Sequence, residues 1–129
     1  MPAFTLRKET RRSYEDVLER VPELLKTEGF GVLTRIDVKE TLKQKIGAEF
    51  RKYTILGACN PQLAHQVLGM DLDLGAMLPC NVVVYDGDDG KAVVLAIDPV
   101  QTVAAGNPSI RPYAEEVRQR LSRVLSRIE

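Results

Sequence analysis

The feature that most constrains this chain is a long central stretch that carries almost no charge. Of its 18 basic and 18 acidic residues, only seven lie within residues 53–110, and just one of those, Lys91, is basic. The flanks hold the others, so residues 1–52 have a net charge of +3 and residues 111–129 a net charge of +2. Because charged residues are rarely buried, a stretch so poor in them is expected to lie mostly inside the protein. The sequence therefore predicts an uncharged core of strands between charged, amphipathic helices.

Length and composition exclude several classes of protein. The 129 residues suit one domain, 1–129, large enough for a core without disulfides. No apolar run approaches the ~18–20 residues of a membrane span, and the first ten residues do not resemble a secretory signal, so we expect no membrane partner. Two cysteines without an export signal predict free thiols and a cytoplasmic location. Neutral charge, and central strands that carry almost no positive charge or paired aromatics, argue against a nucleic-acid partner.

Capping residues and apolar periodicity predict the order of the elements. That order is a strand, a helix opened by Ser13, four strands with short helical inserts, and a long helix at about 112–128. A Gly-Asp-Asp-Gly turn joins the last two strands as a hairpin, which favours an antiparallel sheet. The amphipathic first and last helices need a sheet face to cover, so we expect an α+β fold of two layers. The predicted strands are 4–7, 30–37, 51–58, 81–86 and 91–98.

Residues that could carry chemistry concentrate where two of these strands meet helices. Cys59 precedes the predicted helix cap Asn60, and Cys80 precedes Asn81. If the two strands are antiparallel, both cysteines lie at the same end of the sheet. The single histidine, His65, lies on the second turn of the helix that Asn60 opens. We take these five residues as candidate ligand-binding residues and assign none of them a catalytic role.

The two cysteines leave several functions open. Cys59 at a helix N-terminus could have a lowered thiol pKa and act as a nucleophile or redox thiol, resolved by Cys80. Free cysteines are more often small buried hydrophobic residues, which predicts a packing role. With His65 they match no zinc spacing, so we expect no metal site, and the sequence names no cofactor. Three functions remain: a non-catalytic module that binds a small ligand or ion, which we favour, a thiol enzyme or redox protein, and a structural assembly module.

Two charged groups have simpler structural explanations. Arg120, Arg123 and Arg127 form a stripe on the last helix, which is typical of a solvated face. Asp88 and Asp89 lie in the predicted hairpin turn, where aspartate is favoured for its backbone hydrogen bonding. Neither group predicts a binding site.

Several short blocks of this sequence together resemble a prokaryotic family catalogued as domain of unknown function 302. The resemblance covers nearly the whole chain and departs from the family pattern at Arg35, where an acidic residue is common. It implies a compact α+β domain of the broad TATA-binding-protein-like class, with a curved antiparallel sheet backed by helices, and pairing as a homodimer. It implies no activity and no catalytic residue. The blocks are Gly29–Thr34, Ile36–Lys39, Thr41–Lys43, Ile55–Pro61, Leu78–Val82 and Asp98-Pro99.

Overall fold

A curved antiparallel sheet of five strands organises the protein in the computed structural model, which describes residues 4–129. The strands lie in the order β1-β5-β4-β3-β2, and every neighbouring pair is antiparallel. The predicted sheet and the order of its strands along the chain are confirmed, and the strand ends shift by one or two residues. The strands are β1 (Thr5–Glu9), β2 (Gly31–Asp37), β3 (Tyr53–Cys59), β4 (Cys80–Asp86) and β5 (Ala92–Ile97).

Residues 4–129 also contain five α-helices, three of which begin at a side-chain cap. Ser13, Asp37 and Asn60 each accept a hydrogen bond from a backbone N–H in the first turn of the helix that follows. Short 3₁₀ helices follow α3 at Leu72–Met77 and α4 at Pro108–Ile110. The α-helices are α1 (Tyr14–Thr27), α2 (Val38–Ile46), α3 (Pro61–Met70), α4 (Val103–Gly106) and α5 (Arg111–Ser126).

Helices α1 and α5 pack on one face of the sheet and form the main core with it. Side chains alternate along a strand, so Leu56 and Ala58 of β3 and Val82 and Val84 of β4 point to the same face. This arrangement confirms the predicted α+β fold, in which amphipathic helices cover one sheet face. The helices contribute the buried side chains Val17, Val21 and Leu25 from α1 and Leu121, Val124 and Leu125 from α5.

The opposite face of the sheet carries an apolar row that crosses four strands. The register aligns Ile36 with Ile55, Ile55 with Val83, and Val83 with Leu95. We call these four residues the outer row. Ile36 is 46% exposed, and the other three are partly exposed. Antiparallel sheets usually present polar side chains on a solvated face, so an accessible apolar row needs an explanation.

Two tyrosines on the outer face pair across neighbouring strands. The rings of Tyr53 and Tyr85 stack with their centroids 5.5 Å apart, and Arg7 donates a hydrogen bond to the Tyr85 hydroxyl at 3.1 Å. The expectation that the central strands lack paired aromatics was therefore wrong. The two tyrosines are far apart in the sequence, and only the pairing of β3 with β4 brings them together.

Glu28 joins the C-terminal end of α1 to α5. Its side chain is 9% exposed, accepts two hydrogen bonds from Arg123 at 3.1 and 2.9 Å, and lies 3.2 Å from an Arg127 nitrogen. Arg120 donates to the Glu28 backbone carbonyl at 2.9 Å. The arginine stripe, predicted as a solvated face, thus also binds the last turn of α1. The hydrogen bonds from Arg123 hold the pKa of the Glu28 carboxyl below its usual value, and the charges of Arg123, Arg127 and Arg120 act in the same direction.

Replacing this carboxylate should weaken the fold in a pH-dependent way. A carboxyl whose folded-state pKa is lowered adds stability above its unfolded pKa and loses it as the pH falls through the folded value. We expect Glu28→Gln to lower the free energy of unfolding at pH 7 by about 1–2 kcal/mol, since water partly screens the half-exposed arginines. The difference should begin to shrink below the unfolded value of about pH 4.3 and vanish only once the pH is below the lowered folded-state pKa. Urea denaturation at pH 7 and at a series of acidic pH values measures the difference.

Glu116→Gln is the matched control. Glu116 binds Arg120 on the exposed side of α5 at 2.6 Å, and exposed ion pairs contribute less than about 1 kcal/mol. If Glu28→Gln cost no more than Glu116→Gln, Glu28 would not hold the two helices together.

Candidate functional site

The pairing of β3 with β4 brings both cysteines to one end of the sheet. Ala58 lies opposite Cys80, so Cys59 follows immediately beyond that pair and leads into the cap of α3, Asn60. Within residues 4–129, the two cysteines form no disulfide with each other. The expectation that they share an end of the sheet is confirmed, because the two strands are antiparallel.

A cleft opens at this end of the sheet. Cys59, Asn60 and Cys80 line it, together with Ala58 and the aromatic ring of Phe30. Three of the five candidate residues thus come together on one concave surface.

Two helices form the walls of the cleft. Leu63, Ala64 and Val67 line it from α3, where they follow one another along the apolar side of the helix. Tyr113 and Val117 line it from α5, one helical turn apart. A small apolar cluster that includes Val67 joins α3 to the N-terminal half of α5, so the walls belong to one packed unit.

The cleft is small and carries no formal charge. It encloses about 520 Å³ when its open mouth is counted, and about 60 Å³ of that accepts the centre of a water-sized molecule. Since one water occupies only about 10–15 Å³, the cleft has room for a small organic molecule of several heavy atoms. The lining contains no Lys, Arg, Asp, Glu or His side chain. Such a surface favours an apolar ligand over a charged one.

The other two candidate residues lie outside the cleft. His65 is exposed on α3 and does not belong to the lining. Asn81 is exposed on β4 and pairs with Gly57, one residue beyond the Ala58–Cys80 pair. Side chains alternate between the two faces of a strand, so Asn81 points to the face opposite Cys80.

Neither a metal centre nor a membrane helix is found in the described part of the chain. Within residues 4–129, no three His, Cys, Asp or Glu side chains are grouped so as to hold a metal ion. Over the same range, no helix has both the length and the apolar character that crossing a bilayer requires.

Comparison with known proteins identifies the family. The family model described as "Domain of unknown function DUF302" matches residues 6–128. The chain belongs to the DUF302 family. Its fold is similar to the crystal structure of an uncharacterized conserved DUF302 protein from Bacillus stearothermophilus, with a TM-score of 0.91 and 32% identity over 99% of this chain and 100% of that one. None of the curated proteins matches the sequence. The resemblance expected from the sequence blocks is confirmed, and no activity comes with it.

Part of this DUF302 cleft lies outside the segments that sequence reasoning connected with a binding site. The wall from α5, with Tyr113, Ala114 and Val117, was identified only as one apolar face of a long helix. Phe30 was identified only as the start of a strand. The available signal was the apolar periodicity of α5, which predicts a buried face but not which element it contacts.

The chemistry of Cys80 favours a lining role over a reactive one. Burial raises the pKa of the Cys80 thiol to about 11, and the neighbouring Cys59 adds to the shift. The thiolate is the nucleophilic form of cysteine, so at neutral pH Cys80 is almost entirely in its unreactive form.

Thiol alkylation tests this assignment in the DUF302 chain. In a Cys59→Ser variant, Cys80 is the one remaining cysteine. We expect iodoacetamide to react with Cys80 of the folded variant at pH 7.5 about tenfold more slowly than with Cys80 of the same variant unfolded in urea. The lower thiolate fraction outweighs the higher nucleophilicity of a more basic thiol. The rate should keep rising with pH to a midpoint above the ordinary cysteine value, because burial, the larger cause of the raised pKa, remains when Cys59 is replaced. A midpoint below about pH 8.5, the ordinary value for cysteine, would instead indicate an activated thiol.

Proposed function

We propose that this protein is a non-catalytic, homodimeric module that binds a small apolar ligand in the cleft beside Cys59 and Cys80. The observation that carries the proposal is the cleft itself, a concave apolar surface at the sheet end where the sequence predicted a ligand site. Free thiols at this site suit a reducing, cytoplasmic compartment.

The lining supports binding without catalysis. General acid–base chemistry needs a titratable group that can exchange a proton near neutral pH within reach of the ligand. The side chains around the cleft are apolar apart from one amide, one phenol and two thiols. One of those thiols, Cys80, has a pKa raised to about 11, which removes it from such a role.

The two alternative functions have less support. A thiol enzyme would use Cys59 with Cys80 as the resolving thiol, and the protonated state of Cys80 at neutral pH disfavours that step. A purely structural role would favour a filled sheet end, whereas a concave surface opens beside the cysteines. Ligand binding accounts for both the unreactive Cys80 thiol and the concave surface.

Binding of a small apolar probe tests the proposal. Benzene is small and apolar, as the lining of the cleft requires, and we expect it to cause saturable NMR shifts at Ala58, Val67 and Val117. Ala64→Leu adds a larger side chain to the α3 wall and should weaken benzene binding by about tenfold or more, because it occupies the space of the probe.

Gln66→Leu is the matched control, because it adds a leucine to the exposed side of the same helix. It should keep the wild-type affinity. The absence of saturable shifts in the wild type, or equal binding by Ala64→Leu, would refute the proposed function.

The outer row supports the homodimer. Five strands at about 4.8 Å spacing, with about six residues at about 3.4 Å rise, cover about 480 Å² of sheet face. Two such faces bury about 1,000 Å² in total, which is the smallest area at which a specific interface is expected. The row is uncharged and apolar, so a second copy of the same face is a suitable partner for it. We take this second copy as the occupant of the outer face.

A charge in the outer row should separate the dimer. Ile36 is 46% exposed in the single chain, so Ile36→Glu should fold normally while burying an unpaired carboxylate in a dimer. We expect its dimer dissociation constant to rise about tenfold or more in sedimentation equilibrium. Ile46→Glu, at a 72% exposed site on α2 outside the outer row, is the control. A wild type that is monomeric at about 100 µM would reject the dimer and leave the cleft proposal intact.

A further inference from the structure

One amide at the cleft has a hydrogen-bond donor that the protein does not use. Asn60 is 8% exposed, and its Oδ1 accepts the backbone N–H of Leu63 at 3.2 Å, which caps α3. Because the cap needs an oxygen, it determines which end of the amide is Oδ1 and which is Nδ2. In the part of the chain that the structure describes, Nδ2 donates to no protein acceptor. Asn60 thus brings to the cleft lining an amide nitrogen without a protein partner, on a residue that is more than nine-tenths buried.

The unpartnered nitrogen keeps some contact with open space. Within residues 4–129, no fully enclosed side-chain nitrogen or oxygen lacks a hydrogen-bond partner, so Nδ2 itself is not fully enclosed. Asn60 lines the cleft, and we take the cleft as the open space that Nδ2 faces. A buried donor left without a partner costs stability, which a ligand oxygen in the cleft would restore.

The surroundings of Asn60 favour an uncharged ligand group. A Cβ built at Gly29 would lie 3.0 Å from Nδ2 and 3.2 Å from Nη1 of Arg120, so these two nitrogens lie within about 6 Å of each other. That guanidinium already binds the Glu116 carboxylate and the Glu28 carbonyl. Since no cationic side chain lines the cleft, a carboxylate entering it would lose its hydration without gaining a free opposite charge.

We propose that the cleft selects small neutral molecules with a carbonyl oxygen on an apolar skeleton, and that this oxygen accepts a hydrogen bond from Nδ2 of Asn60. The apolar skeleton lies between the α3 and α5 walls, against residues such as Ala64 and Val117. The inference rests on the proposed binding function of the cleft and adds the chemical class of its ligand. Ketones, esters and amides of about five carbons fit both the donor and the enclosed volume.

Four probes with the same five-carbon chain test the ligand class. They are 2-pentanone, n-pentane, pentanoate and pentylamine, each titrated into ¹⁵N-labelled protein and followed by NMR. We expect 2-pentanone to bind about three- to tenfold more tightly than n-pentane, the effect of one net hydrogen bond, and to shift the side-chain amide resonances of Asn60. Pentanoate and protonated pentylamine should bind more weakly than 2-pentanone, because they bring an unpaired charge into the cleft.

Asn60→Asp separates the donor from the helix cap. Aspartate keeps an oxygen for the N–H of Leu63, so α3 stays capped, but it replaces the donating nitrogen with an acceptor. The variant should lose its preference for 2-pentanone over n-pentane and gain affinity for protonated pentylamine. Gln62→Glu makes the same amide-to-carboxylate change at an exposed position two residues along the chain, and it should keep the wild-type order of affinities.

The outcomes distinguish the ligand class from the proposed function. Equal affinity of the wild type for 2-pentanone and n-pentane, or tighter binding of pentanoate, overturns the inferred class while the cleft stays a binding site. A ketone preference that survives in Asn60→Asp also overturns it. If Asn60→Asp does not fold, the affinities of the wild type for the four probes still test the inferred ligand class. Failure of all four probes and of benzene refutes the proposed function itself.

Discussion

The register of the central strands is the constraint on which the rest of this molecule depends. With Ala58 opposite Cys80 and Val82 opposite Ala96, the small and branched side chains of three strands point to one face. A slip of one residue would turn that set outward, so the burial of this face under α1 and α5 specifies the register strongly. The residues of the outer row alternate with these buried residues along the strands and point to the opposite face of the sheet. Both the core and the accessible apolar face therefore follow from one pairing pattern.

The cleft and the junction between helices α1 and α5 meet at the end of α1. Glu28 binds the arginines of α5, Gly29 adopts a positive φ that ends the helix, and Phe30 then lines the cleft. The backbone turn that anchors α1 on α5 thereby also positions one wall of the site. Arg120 reaches the same turn, where its charge is balanced by Glu116 instead of facing the cleft. The charged side chains at this turn thus lie outside the cleft lining, and the cleft surface is neutral.

Local rules predicted much of the site and of the fold. The cap at Asn60, the strand ends at Cys59 and Cys80, and their common end of the sheet follow from residue types and from antiparallel pairing. His65 and Asn81 were adjacent in sequence to real lining residues but lie outside the cleft, because a helix and a strand turn successive side chains in different directions. The contribution of α5 to the cleft was not predictable, since periodicity identifies a buried face without its partner.

The sequence by itself determined the order of the helices and strands, the strand ends to within one or two residues, the caps of α1 and α3, and that the charge-poor middle forms the strands of the core. These properties depend on neighbours within a few residues along the chain, where capping, alternation and turn geometry act. Only the tertiary structure decided that Tyr53 stacks on Tyr85, that Glu28 forms an ion pair with Arg123 of α5, and that an apolar cleft opens beside Asn60. Those contacts join residues 30 to 100 positions apart, and the packing of the helices on the sheet selects among many partners of similar local chemistry.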